Sequence, residues 1–200
     1  MTLELWNTLA TFGTFAVIAA TAISALVQLR HLRAGNQVNA MISIGNQFDD
    51  RTFRKALQLA LPNINSAVDE EAFRSYDLAV GRRTQLPPVS QDVINLRRAA
   101  LLVGNFYEEL GILVKNGAID KDLVLDRWSA NTRGSWHRMA RYVSWIRKAQ
   151  DSISIWENFE YLTVLSEDWL NEHPGGVYPQ GVRRLKLPET PPIPEAAATA

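Results

Sequence analysis

The sequence has 200 residues, with 21 basic and 21 acidic side chains, a formal net charge of zero and no cysteine. The neutral balance argues against bulk nucleic-acid binding, which needs a basic surface; the lack of cysteine excludes disulfides, thiolate metal sites and cysteine nucleophiles. With an apolar N-terminal run set aside, about 170 residues remain, enough for one compact domain with its own core.

That run is residues 9–29, LATFGTFAVIAATAISALVQL, which contain no Asp, Glu, Lys or Arg. At ~1.5 Å per helical residue it covers about 31 Å, which matches the roughly 30 Å hydrocarbon core of a bilayer. Trp6 precedes it and Arg30, His31 and Arg33 follow, as aromatic and basic anchors do. Its large apolar side chains favour insertion by roughly 3–5 kcal/mol. The hydroxyls of Thr11, Thr14, Thr21 and Ser24 return bonds to carbonyls one turn earlier. A cleaved signal peptide would show a basic start, a shorter run and a cleavage site beyond it. Here the N-terminus carries Glu4 and no Lys or Arg, and Ala20-Thr21-Ala22 lies inside the run. A buried core helix would be shorter and show a polar face. The sequence therefore predicts one transmembrane helix. Basic residues only on its C-terminal side place residues 30–185 in the cytoplasm and residues 1–8 outside.

Val38, Met41, Ile44 and Phe48 recur at three- and four-residue spacing, so the helix is expected to run unbroken from the span into the domain. Asp50 is an N-cap for a helix over residues 51–61, which Pro62 is expected to stop, leaving residues 63–68 as a connector. Asp69, Glu70 and Glu71 place negative charge in the first turn of a helix ending near Gly81. Residues 81–92, GRRTQLPPVSQD, read as a surface loop. The strongest soluble helix follows over residues 93–115, with Leu96, Ala99, Val103, Phe106, Leu110 and Leu113 on one face. Gly117 closes it in a left-handed conformation. Asp120 caps a helix carrying Leu123, Val124 and Trp128, which either breaks near Asn131-Thr132 or runs on to about Lys148. Ser154 is expected to open the last helix, which ends near Glu172 and carries Trp156, Phe159, Leu162, Val164, Leu165 and Trp169 as its apolar set. Beyond it Val177, Tyr178 and Val182 are expected to tie an extended strap against the helices, and residues 186–200, rich in proline, to be disordered. No segment alternates as a strand. The fold class is all-α: an N-terminal transmembrane helix followed by a cytoplasmic bundle of about five to seven helices and a disordered proline-rich tail.

Catalytic signatures are missing. The three histidines, His31, His137 and His173, show no metal-binding spacing, and the chain has no phosphate-binding glycine loop and no GxSxG elbow. No catalytic, cofactor-binding or metal-ligating residue is assigned. The most suggestive polar cluster is Asn105, Glu108 and Glu109 on one helix with Glu157, Asn158 and Glu160 on the last. Converging carboxylates could do acid–base work or hold a cation. The favoured reading is a structural one, with the acids solvated or neutralised by Arg97, Arg98, Arg133 or Arg138. A second feature is the basic stretch Arg127, Arg133, Arg138, Arg141, Arg147 and Lys148, interleaved with Trp128, Trp136, Tyr142 and Trp145. It suits anionic lipid or, less well, RNA; the plainer reading has core tryptophans and solvated or paired arginines. Ala16, Ala20 and Ser24, four residues apart, offer a small-residue face for a homo-oligomer through the span.

Several separated blocks agree in order with a known family: LELWNTLATFGTFAVIAATAISALVQLRHL, NFYEELGILVKNGAIDKDLVLDRW, WENFEYLTVLSEDWL and HPGGVYPQGV. Over residues 3–185 the chain resembles the bacterial single-pass membrane proteins of domain-of-unknown-function family 4760. The resemblance implies a membrane-anchored helical domain in a bacterium and carries no activity. Its blocks single out Asn105, Glu108, Gly111, Gly117, Asp120, Trp156, Glu157, Asn158, Phe159 and Glu160. The functional expectation is a non-enzymatic interaction or scaffold protein at the inner membrane, with the lipid bilayer as its first partner. The alternative is an enzyme or small-ligand sensor with a polar site between the Asn105–Glu109 and Glu157–Glu160 segments.

Overall fold

The computed structural model describes residues 2–188. Among these residues there are six α-helices and no strand: α1 Leu3–Asp49, α2 Arg51–Ala67, α3 Glu71–Arg82, α4 Gln91–Lys115, α5 Lys121–Ala149 and α6 Glu157–Glu172.

The first helix runs unbroken for 47 residues, roughly 70 Å at ~1.5 Å per residue. Its stretch Ala10–Asp49 reaches a mean hydropathy of 1.9 over a window of which none is buried. It is long and apolar enough to cross a membrane, and none of that window is buried against the bundle. Thr14 and Thr21 donate their hydroxyls to the carbonyls of Ala10 and Val17 at 2.9 and 2.8 Å. Only the last turns of α1 enter the bundle. Ile44 is buried, and the Phe48 ring lies 5.7 Å from Phe53, 5.8 Å from Phe106 and 6.2 Å from Trp128. Val38, expected on the same stripe, is 58% exposed.

Asp50 breaks α1 from α2. Its carboxylate accepts the N–H groups of Thr52 (2.7 Å) and Phe53 (3.2 Å), and these bonds hold its pKa below the usual carboxylate value. Pro62 does not stop α2, which runs on to Ala67 and absorbs most of the expected connector. A mid-helix proline costs about 3 kcal/mol, but the turn beyond it buries Ile64 and Ala67. Full burial of one isoleucine alone returns about 1.5–3 kcal/mol. Asn63 and Ser66 also donate back to the carbonyls of Leu59 and Asn63. The third helix passes Gly81 and ends at Arg83, which takes the left-handed conformation at φ 54°.

Residue Gly117 closes α4 as its position suggests, at φ 64°. Its N–H reaches the Val114 carbonyl at 3.0 Å and that of Ala118 reaches Leu113 at 3.0 Å, the paired bonds of a Schellman stop. Asp120 then caps α5 through the N–H groups of Asp122 and Leu123. That helix continues past Asn131 without a break, because Thr132 is itself buried against the core. The last helix begins at Glu157, later than Ser154 would have it; residues 150–156 form turns.

Helix α2 packs on α4 and α5, and α6 packs on α5 and α4, so four helices enclose one core. Phe53, Phe106, Tyr107, Trp128, Met139, Tyr142, Phe159 and Leu162 fill it. Ion pairs of Arg147 with Glu160 and His137 with Glu167 show α6 running antiparallel to α5. Val164, expected on the apolar face of α6, is 51% exposed. The expected strap is not tied to the helices either: Val177, Tyr178 and Val182 are all exposed. Within the expected tail, residues 186–188 are extended and exposed, and residues 189–200 lie outside the described residues.

A Cβ at Gly117 would meet nothing within 4 Å, so a substitution there acts on the backbone alone. Gly117→Val should cost about 1–2 kcal/mol, and Gly117→Asn distinctly less, because asparagine tolerates the left-handed region. Urea unfolding of the three proteins in detergent checks this, and equal midpoints would contradict the capping role.

Candidate functional site

Helix α6 starts from an awkward residue. Trp156, its N-cap, has no side-chain capping bond and sits at φ 55°, ψ 38°. For a bulky residue that conformation costs about 1–2 kcal/mol; its side chain offers no capping oxygen, so the Glu157 N–H bonds to the Ser154 carbonyl at 3.2 Å and those of Asn158 and Phe159 need an acceptor from elsewhere. The acceptor comes from α4. Glu108 takes the backbone N–H of Asn158 and of Phe159 on one oxygen, each at 2.9 Å, and the Asn158 side-chain amide on the other at 2.7 Å. A carboxylate at a helix N-terminus also meets the positive end of the helix dipole.

The face of α4 around Glu108 is shaped for this contact. A Cβ at Gly104 would lie 2.2 Å from the Trp156 ring, and one at Gly111 would lie 2.1 Å from the Asn158 carbonyl oxygen. Both glycines are therefore required by close approach. The Trp156 indole N–H donates to Asn105 at 3.0 Å, and Lys115 donates to the Asn158 side-chain oxygen at 3.2 Å. Beneath this layer the Phe159 ring stacks on Tyr107 at 4.7 Å. Ser135 donates to the Tyr107 hydroxyl, whose pKa burial pushes up to about 12.

The structure thus brings together Asn105, Glu108 and Asn158 and disperses the rest of the cluster. Glu160 pairs with Arg147 at 2.7 Å, and Arg147 also donates to the Ile155 carbonyl at 2.9 Å. Glu157 is exposed and joins none of these contacts. Glu109 sits on another face of α4, beside Ala40, Ser43 and Gln47 of α1. The arginine that meets the acids is Arg147; Arg97 is spent on Asp77. Trp156, Gly104, Gly111 and Lys115 were not in the expected cluster. The signal for them is a pair of glycines seven residues apart, with Glu108 and Glu109 between them, in the middle of a long helix.

A second polar contact joins α3, α4 and α5. Asp77 is buried, with Arg97 against one carboxylate oxygen at 2.5 Å and the Tyr142 hydroxyl donating to the same atom at 3.2 Å. Its other oxygen has no partner. Burial raises the Asp77 pKa, against the opposing pull of Arg97 and Tyr142. The basic stretch of α5 resolves into separate contacts. Arg141 forms a forked pair with Asp69, Arg127 lies over the Trp128 ring at 5.0 Å, and Trp128 and Tyr142 are core. Arg133, Arg138 and Lys148 of the same stretch are exposed.

Removing the Glu108 carboxylate leaves two helix N–H groups and an amide without their acceptor. Glu108→Ala should cost about 1–3 kcal/mol and speed hydrogen exchange at Asn158 and Phe159. Gly111→Ala should displace the start of α6 more severely, because the obstructing atom is backbone. Unchanged exchange at these two amides in Glu108→Ala would show that the cap is dispensable.

Residues 15–166 match the family described as Domain of unknown function (DUF4760). No curated protein and no solved structure matches the chain. The matched region holds most of α1, all of α2 to α5 and the start of α6, so it contains both sides of the Glu108 contact. With more than half of its length matched, the chain belongs to the DUF4760 family.

Proposed function

We propose that this protein is a membrane-anchored interaction or scaffold module without catalytic activity, held at the inner membrane of a bacterium by residues 9–29. In this reading residues 1–8 lie outside, residues 30–185 form the cytoplasmic domain and the bilayer is its first partner. The observation that carries it is the unbroken α1, whose exposed apolar part passes directly into turns buried in the bundle. The use of Glu108 and Glu160 as helix contacts weighs against the enzyme or sensor alternative. The larger cavities are about 610 Å³ between α3 and α5, about 540 Å³ beside Arg147 and the turn after α5, and about 500 Å³ between α1 and α5; Asn105, Glu108 and Asn158 line none of these three. An alkaline carbonate wash should leave the protein in the membrane pellet, and a cytoplasm-dependent reporter fused after Lys186 should be active. Release into the supernatant, or a reporter active only outside, would overturn the anchor or its orientation.

Self-association is the partner reading favoured by a specific observation. Ala16, Ala20, Ser24, Val27, Val38, Ile42 and Gly45 fall within about 80° of one another at about 3.6 residues per turn. The small-residue face of the span therefore continues into the groove lined by Val38, Ile42, Gly45 and Leu123. Small residues let two helices approach closely in lipid, where hydrophobic driving force is absent. Ala16→Ile/Ala20→Ile should weaken association in a membrane two-hybrid assay and leave insertion intact. Equal signal from wild type and the double variant would assign this face to lipid.

A further inference from the structure

Residues 173–188, HPGGVYPQGVRRLKLP, hold three basic residues and no acid; the nearest acids flank them at Glu172 and Glu189. The segment is ordered by its own contacts. Tyr178 donates its hydroxyl to the Arg183 carbonyl at 3.1 Å, and Arg184 donates to the Gly175 carbonyl at 3.1 Å. The Arg184 guanidinium lies over the Tyr178 ring at 4.7 Å, and Gly176 and Gly181 turn the chain at φ 75° and 79°. None of its apolar side chains joins the core: Val182, Leu185 and Leu187 are 55%, 73% and 80% exposed. A self-bonded loop that presents leucines and cations together to solvent has the composition of a bilayer-interface segment.

Its place in the fold points the same way. The antiparallel α6 carries the chain toward the N-terminal end of α5, where Arg127 lies beside Gly45 and Trp128 beside Phe48 of α1. From Gly45 back to Leu29, α1 rises about 24 Å at ~1.5 Å per residue. The arm has a contour of roughly 53 Å at ~3.3 Å per residue, so it can span that gap when its loop opens. We infer that residues 173–188 form a second membrane contact, in which Leu185 and Leu187 enter the interface and Arg183, Arg184 and Lys186 bind anionic lipid headgroups. The inference rests on the anchored reading of α1, which holds the arm near the leaflet at all times. Elsewhere Arg141 and Arg147 are engaged by Asp69 and Glu160, whereas the arm's cations face no carboxylate among the described residues.

The chain has no cysteine, so single-cysteine variants of the full protein can carry an environment-sensitive fluorophore. Leu185→Cys, Ile18→Cys and Ile153→Cys, each labelled, are reconstituted in phosphatidylcholine vesicles with and without phosphatidylglycerol. The Leu185 label should shift to the blue and be quenched by nitroxide lipids only in the anionic vesicles, and high salt should reverse this. The Ile153 label, on a turn of the bundle, should stay aqueous in both. Replacing Arg183, Arg184 and Lys186 with Gln should lower docking about a hundredfold, at roughly fivefold per basic residue. A Leu185 label that stays aqueous while the Ile18 label is quenched overturns the arm proposal and leaves the anchor standing. An Ile18 label that is not quenched overturns the anchor itself. Blue shift of the Leu185 label that is independent of lipid charge and disappears on dilution would assign the arm to a second copy of the chain and overturn the lipid contact.

Discussion

The start of α6 is held by a carboxylate from another helix, and the bundle is arranged to permit it. Trp156 cannot cap its own helix in the conformation it adopts, so the N–H groups of Asn158 and Phe159 depend on Glu108. Glu108 reaches them only because Gly104 and Gly111, each about one turn away on either side of it, let the two backbones close. That approach in turn seats Trp156 against Tyr142 and Phe159 against Tyr107. Polar cap, glycine groove and aromatic core are therefore one feature. A hydrophobic groove alone would let α6 slide along α4; directional bonds to a charged acceptor fix its register.

The second constraint is the length of α1. A helix without a break transmits position, so whatever fixes its apolar part fixes the bundle as well. The bundle grips only the last turns, through Ile44 and Phe48. Between that grip and the apolar stretch lie residues such as Val38 and Ile42, which contact little and remain exposed. Exposed apolar surface of this kind on a tether is where a partner is to be sought. The acids offer less: half-buried Glu108, exposed Glu160 and buried Asp77 each face a partner within the fold.

Most of the fold was legible because its signals are local. Asp50, Asp120 and Gly117 act within their own turn, and each does in the structure what its type and position imply. The errors share one origin in tertiary override. Pro62 is a helix breaker by local rules, and it is outweighed by the burial of Ile64 and Ala67 beyond it. Ser154 is a better local cap than Trp156, yet α6 begins where Glu108 can reach it. The site was legible as a set of residue types, since Asn105, Glu108 and Asn158 do converge. Of their partners, Gly111 and Trp156 stood in the family blocks without a role, and Gly104 and Lys115 are ordinary residues until two helices are placed side by side. The strap failed for a related reason: Val177, Tyr178 and Val182 look like core residues by type, and only the finished bundle shows that no groove receives them.

The two interior carboxylates show why burial alone does not mark a functional acid. Glu108 satisfies both of its oxygens with N–H donors fixed by α6. Asp77 places Arg97 and Tyr142 on a single oxygen and leaves the other bare, and burial raises its pKa despite the arginine. Because the folded value lies above the unfolded one, ionised Asp77 opposes folding at high pH, and that opposition fades as pH falls through the raised value. The ionised form of such an acid is less favourable to folding than its protonated form, and a buried pair of this kind is weak support for a fold. What it does supply is a direction: the short helix α3 meets α4 and α5 through a bond that an apolar contact would not orient. Both acids thus act on the placement of helices, α6 by a complete cap and α3 by an incomplete pair. In the proposed reading, recognition falls to the groove on α1 and to the exposed C-terminal arm.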